Sequence, residues 1–339
     1  MQKVADWQIA NFSYRTTGNL HDYGIGSWTN ATLYLGMSRW AEIAGDEKYS
    51  KWLMGIVDSL KWKVPANFMN TRYGLYHADE LCIIQLYTSI VKQPEMLKAA
   101  CERLDFIIQN PPDSSMKYTN KQSWTWCDAL FMAPPAFIGL WQITNNESYL
   151  SFAHEEFMKT YNHLYQPDEQ LFYRDDSFLD RKEVNGNGIF WGRGNGWVAA
   201  GLANILKMIP AGNPLRPFYE SLFCEHVARL TTLQNSTGFW HASLLDPENY
   251  PAPETSATAL IAYAIAYGVN SGLLPAGKYA PVVEKAWRAL LTAINGEGKL
   301  GWIQPIGADP KKVTAEMTAV YGVGAFLMAG TEIVFNFKL

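Results

Sequence analysis

Along most of the chain, apolar residues recur at helical spacing. In 281–294, Val282, Val283, Ala286, Trp287, Leu290, Leu291 and Ile294 make one stripe of an α-helix. Pro281 suits its first turn, and Asn295-Gly296 its end. In 95–109, Met96, Leu97, Ala100, Cys101, Leu104, Ile107 and Ile108 repeat the pattern, and Pro111-Pro112 stops it. The same reading predicts helices over 30–44, 50–62, 79–92, 129–143, 151–164, 197–209, 218–233, 255–267 and 318–329. The stretch 255–267 is apolar nearly all round, which predicts a helix enclosed by others. No segment alternates with period two between hairpin turns, so no large sheet is expected.

Loops rich in glycine and aromatics precede successive helices at 18–28, 71–80, 122–128, 169–197, 236–246 and 298–305. Markers at their ends, Trp28, Asp79, Asp128 and Asp175, stand 51, 49 and 47 residues apart. About fifty residues is one helical hairpin with its loops, the signature of a repeated supersecondary unit. Six such hairpins fit within 339 residues. Closed in a ring they form an all-α (α/α)6 barrel; the period alone also permits an open solenoid. No Pro/Ser-rich linker interrupts the chain, so a single domain over 1–339 is expected.

Composition narrows the functional classes. Hydrophobic residues make up 48% and charged residues 18%, enough for a large core. The net charge of −4 offers no electrostatic footprint for nucleic acid or an anionic membrane, although local cations suffice for a small anionic substrate. No apolar run reaches the ~18 residues of a membrane span, and Met1–Phe12 lacks a signal-peptide core, so the expectation is a cytoplasmic protein or a periplasmic one after signal removal. Cys82, Cys101, Cys127 and Cys224 form no C-x-x-C pair and are expected as buried free thiols. HExxH, EF-hand and G-x-S-x-G patterns are absent, so no metal, cofactor or serine nucleophile is expected. The 13 Trp, 18 Tyr and 16 Phe suit a large helical core, and also the stacking faces of a sugar cleft. Oligomeric state is not fixed by the sequence.

The candidate chemistry sits in the loops. Asp128, between Trp126 and the apolar run that begins at Ala129 and includes Met132, reads either as a helix N-cap or as a general acid whose proton is retained in an apolar pocket. Asp79, in Tyr73-Gly-Leu-Tyr-His77-Ala-Asp79-Glu, opens another apolar helix one repeat earlier. If the repeat holds, the two carboxylates face one another across one barrel mouth, as in sugar hydrolysis. Phe190-Trp191-Gly-Arg193-Gly-Asn-Gly-Trp197 reads as a ligand loop, with glycines for close backbone approach and Arg193 as a carboxylate fork. His77, Met132, Arg174 beside Asp175, Tyr23 of the first loop, Trp240 and Glu254 are further substrate-binding candidates; Glu254 equally suits the cap of helix 255–267.

Three strings carry a family resemblance: W-x-W-x-D-x-L-F-M-A (Trp124 to Ala133), F-W-G-R-G-N-G-W (Phe190 to Trp197) and P-E-T-S-A-T-A-L (Pro253 to Leu260). They resemble the unsaturated rhamnogalacturonyl hydrolases of glycoside hydrolase family 105, relatives of the family 88 unsaturated glucuronyl hydrolases. The resemblance implies ring closure, an oligosaccharide partner, and removal of a 4,5-unsaturated uronic acid from its non-reducing end. It implies protonation of C4 and addition of water at C5, with Asp128 as acid/base and Asp79 as the second acid. Trp126, Trp191 and Trp197 would stack on the sugar, with Arg193 close by. Many members carry His where this chain has Arg174. The rival readings are an (α/α)6 enzyme acting on a saturated sugar and a binding barrel without turnover.

Overall fold

Twelve helices carry the chain in a computed structural model that describes residues 1–12, 24–66, 73–120 and 122–337. They are α1 (Gln2–Ala10), α2 (Trp28–Ile43), α3 (Lys48–Leu60), α4 (Ala78–Ile90), α5 (Lys98–Gln109), α6 (Pro134–Thr144), α7 (Glu147–Leu164), α8 (Gly192–Met208), α9 (Arg216–Thr232), α10 (Thr255–Asn270), α11 (Ala276–Thr292) and α12 (Val320–Asn336). The even-numbered helices pack in chain order, and α12 returns to α2, so the ring closes as an (α/α)6 barrel. The odd-numbered helices form the outer layer. Among them α3 lies on α2, α7 on α6, α11 on α10, and α1 on α12.

Burial follows the apolar pattern. Every residue of α8 from Gly192 to Leu206 is buried, as is every residue of α10 from Thr255 to Gly268, which makes them inner helices enclosed on all sides. Outer α11 buries only the stripe Tyr279, Val283, Ala286, Trp287, Ala289 and Leu290. Where the ring closes, a Cβ on Gly36 would stand 2.2 Å from the Gly324 carbonyl oxygen, and one on Gly324 equally close to that of Thr32. Only glycine at both places lets the first and last inner helices touch along their backbones.

Four elements depart from the sequence pattern. The run 129–143 is broken into one turn (Ala129–Met132) and α6, because Pro134 lacks the N–H a continuous helix needs and instead starts the next one. The helix expected from 281 begins at Ala276. Pro281 lies inside it on the exposed side, where the carbonyl it cannot satisfy meets water. Helix 197–209 begins five residues earlier, at Gly192, and takes in the whole glycine string. Nine-residue α1 is too short for its periodicity to stand out. Among the described residues, sheet is confined to Tyr165–Gln166 paired antiparallel with Leu171–Phe172. All four cysteines are free, Cys82 and Cys127 fully buried, Cys101 and Cys224 partly.

Candidate active site

The N-terminal ends of α2, α4 and α8, the turn before α6 and the segment before α12 gather at one mouth of the barrel. A cavity of about 330 Å³ opens there. Its walls are Trp28, His77, Asp79, Trp126, Asp128, Met132, Arg174, Trp191, Arg193, Trp197 and the segment Ile306–Ala308. The fifty-residue markers thus converge: Trp28, Asp79 and Asp128 share one pocket, and the fourth lies beside Arg174.

Asp128 is the residue before the turn 129–132, yet its carboxylate makes no capping hydrogen bond. The N-cap reading therefore fails for the side chain, which is buried and turned to other partners. Arg174 Nε stands 3.4 Å from Asp128 Oδ2, and Arg174 Nη1 donates to Asp175 Oδ2 at 2.5 Å. Asp175 is itself fixed, accepting from the backbone N–H and hydroxyl of Ser177. The two strings are stitched together by the Cys127 N–H, which donates to the Arg174 carbonyl at 2.8 Å. Behind the turn, Gln85 of α4 donates to the carbonyls of Phe131 and Met132. Burial pushes the Asp128 carboxyl above the ordinary carboxylate range; the Arg174 and Arg193 cations oppose it without cancelling it.

Asp79 sits in the first turn of α4, whose cap position is His77. His77 Nδ1 is 3.8 Å from Asp79 Oδ2, and the His77 ring packs on Trp126 with centroids 4.8 Å apart. Trp197 meets Trp28 edge-on at 6.2 Å.

Arg193 departs from its expected role. It lines the pocket, but its fork is spent: Nη1 donates to the Gln304 carbonyl at 2.5 Å and Nη2 to the Pro305 carbonyl at 2.9 Å. The guanidinium lies over the Trp191 and Tyr321 rings, with its carbon 4.5 and 5.0 Å from the centroids. Arg193 therefore holds the segment that walls the pocket instead of reaching for the sugar as a fork. The glycines around it serve the protein too. A Cβ on Gly192 would stand 2.3 Å from the His241 carbonyl oxygen, and one on Gly196 3.1 Å from the Leu260 Cβ.

Two more candidates lie outside the lining. Trp240 is fully buried, its Nε1 donating to the Leu230 carbonyl. Glu254 is fully buried as the cap of α10, accepting from the Ser256 and Ala257 N–H groups and from the Gln304 N–H at 2.9 Å. Neither reaches a ligand in this pocket, because each is consumed by neighbouring backbone. Tyr23 falls outside the described residues. Trp28, a spacing marker but not a site candidate in the sequence, and Ile306–Ala308 also wall the pocket. Trp28 was visible as the last residue of the first loop, and 306–308 follow directly on the last.

Glu254→Ala is expected to lose a helix cap and strand a buried Gln304 N–H, a cost of about 2–3 kcal/mol. The measurement is thermal unfolding, and a Tm equal to the parent's contradicts the assignment.

The sequence matches Glycosyl Hydrolase Family 88 over residues 1–337. The chain belongs to glycosyl hydrolase family 88. It is a glycoside hydrolase by that membership, in the relative group that the sequence resemblance pointed to. An unsaturated 3S-rhamnoglycuronyl hydrolase of Formosa agariphila is 37% identical over 98% of this chain and 89% of its own length. A family 88 hydrolase structure from Bacteroides vulgatus superposes with a TM-score of 0.86 at 31% identity, covering 98% and 96% of the two chains. A structure named a polysaccharide lyase is similar to almost the same degree, with a TM-score of 0.85 at 31% identity over 98% and 95%.

Proposed function

We propose that this family 88 chain releases a 4,5-unsaturated uronic acid from the non-reducing end of lyase-generated oligosaccharides, with an unsaturated uronyl group linked to rhamnose as its substrate class. The observation that carries the reading is Asp128, a buried carboxyl that neither caps a helix nor meets water freely, in an aromatic pocket with Asp79 and two arginines. Protonation of carbon needs a carboxylic acid held neutral, and burial favours that form. Asp128 gives its proton to C4 of the vinyl ether. Positive charge develops at C5 and on the ring oxygen. Water adds at C5 and returns a proton to Asp128, and the hemiketal opens to release the next sugar. Asp79 orients the water or the sugar hydroxyls. Trp126, Trp191 and Trp197 supply flat faces for the ring, and Met132 lines the pocket beside them.

The test follows the ultraviolet band of the conjugated C4=C5 uronate in lyase digests of rhamnogalacturonan, homogalacturonan, ulvan and glycosaminoglycans. A falling band is the expected result, and the responding digest names the linkage. The likeness to a structure named a lyase favours one alternative, in which eliminative cleavage makes the band rise on intact polysaccharide. A flat band everywhere, with folded protein, removes both.

A further inference from the structure

Among the described residues that line the pocket, Arg174 is the one cation with an edge left to give. Its Nη1 is committed to Asp175 at 2.5 Å, and Asp175 is locked by Ser177. Its Nε faces Asp128 Oδ2 at 3.4 Å, within ion-pair range but without a hydrogen bond. Among the described residues its Nη2 has no hydrogen-bond partner. That edge, Nε with Nη2, is the planar fork that matches a carboxylate. The other cation, Arg193, has both terminal nitrogens bonded to carbonyls. The substrate of the proposed reaction carries a carboxylate on C5, next to the carbon that takes the proton.

We propose that the uronate carboxylate takes the Nε/Nη2 edge of Arg174, displaces Asp128 as its partner, and so causes Asp128 to take up from solvent the proton it then delivers to C4. The inference rests on the unsaturated-uronyl reading above. The proton balance closes over a turnover. One proton enters with the uronate and goes to C4, the attacking water returns one to Asp128, and that one leaves with the product as Arg174 swings back.

Among the described residues, the neighbours of Asp128 are otherwise engaged or fixed. Asp175 faces Asp128 from behind and keeps its own bond to Arg174. Cys127 is adjacent, but burial holds its thiol neutral. His77 and Asp79 face the pocket from the start of α4, with His77 Nδ1 3.8 Å from Asp79 Oδ2. Arg193 stays fixed on the 304–305 backbone. Substrate charge thus reaches Asp128 chiefly through the guanidinium they share. A neutral sugar of the same shape fills the pocket without arming the acid.

The experiment uses D-glucuronate, a saturated uronate, as a non-reacting probe, with its neutral methyl ester as control. Proton uptake at saturation is read by an indicator dye in weak buffer. The wild type is expected to take up as much as about one proton per uronate at near-neutral pH and none with the ester. Asp128→Asn takes up none. Arg174→Gln also takes up little, because without the cation Asp128 is already protonated.

Kinetics provide a second readout that does not depend on the probe. In the wild type the basic limb of kcat lies at higher pH than that of kcat/KM. In Arg174→Gln the two limbs coincide, with KM raised about ten- to a hundredfold. Arg174→Lys, which keeps a partner for Asp175, restores part of the separation. Coincident limbs in an active wild type, or equal uptake by wild type and Asp128→Asn, overturn the inference. A flat ultraviolet band in every digest fails the hydrolase reading instead.

Discussion

Asp128→Asn is expected to lower kcat by a factor on the order of 10²–10⁴, the usual contribution of general acid–base catalysis, with the fold intact. The amide keeps the shape of the side chain but has no proton to give to carbon. Stability should not suffer. The carboxylate caps nothing, and Arg174 retains Asp175 when Asp128 is neutralised. The sign of the pH dependence supports this. The folded-state pKa is raised, so folding prefers the protonated acid. Wild type therefore carries a penalty that grows as pH rises above the unfolded carboxylate value, and the amide carries none. The variant's Tm is expected to equal or exceed the parent's at neutral pH, and the gap to close towards acid. An active, well-folded Asp128→Asn would sink the mechanism, and a Tm falling by many degrees would sink the account of the site.

Arg193→Ala should be the second most damaging change, through architecture. The side chain is buried, and it donates to two consecutive carbonyls of the segment that carries Ile306–Ala308 into the pocket. Gln304 is the hub of that anchorage. Its carbonyl also accepts from Tyr321 Oη, its N–H donates to Glu254, and its Oε1 accepts from Trp191 Nε1. Charge-assisted hydrogen bonds are each worth about 1.5–3 kcal/mol, and the two are not additive, so a loss of about 3 kcal/mol is expected. The wall then moves relative to Asp128, and a displacement of this kind typically costs on the order of a hundredfold in rate. Unfolding and kcat/KM are both expected to fall. A drop in KM performance alone, with Tm unchanged, would mean that the guanidinium serves the sugar after all.

How the site could be read from sequence depended on what each residue does. The fifty-residue spacing located Asp79 and Asp128 correctly in one pocket, because a repeat of helical hairpins puts equivalent positions at one barrel end. Arg174 was visible as a departure from the family pattern. Arg193 and the glycines misled for a shared reason. Gly-Arg-Gly-Asn-Gly has the composition of a ligand loop, but a string of small residues serves equally to bring backbones together. The sequence does not say whether the approaching atoms belong to a sugar or to His241, Cys127 and Leu260. Glu254 could be read either way and proved to be the cap, since its oxygens face the α10 N–H groups and that of Gln304. The wall 306–308 gave little signal, because it contributes backbone and small side chains.

The first helix lies on the last. Val4 and Ala5 are buried, Lys3 reaches the Gly296 carbonyl, and a side chain on Gly330 would strike Met1. During synthesis, then, the opening residues wait without their partner until 320–336 have left the ribosome. Closing a ring across nearly three hundred residues is slow relative to forming neighbouring hairpins. The pocket, which takes walls from both Trp28 and Ile306, cannot be complete before that seam is shut. A permuted chain, joined through the old ends and cut in an outer loop, would move the late step elsewhere on the circle without altering the finished barrel.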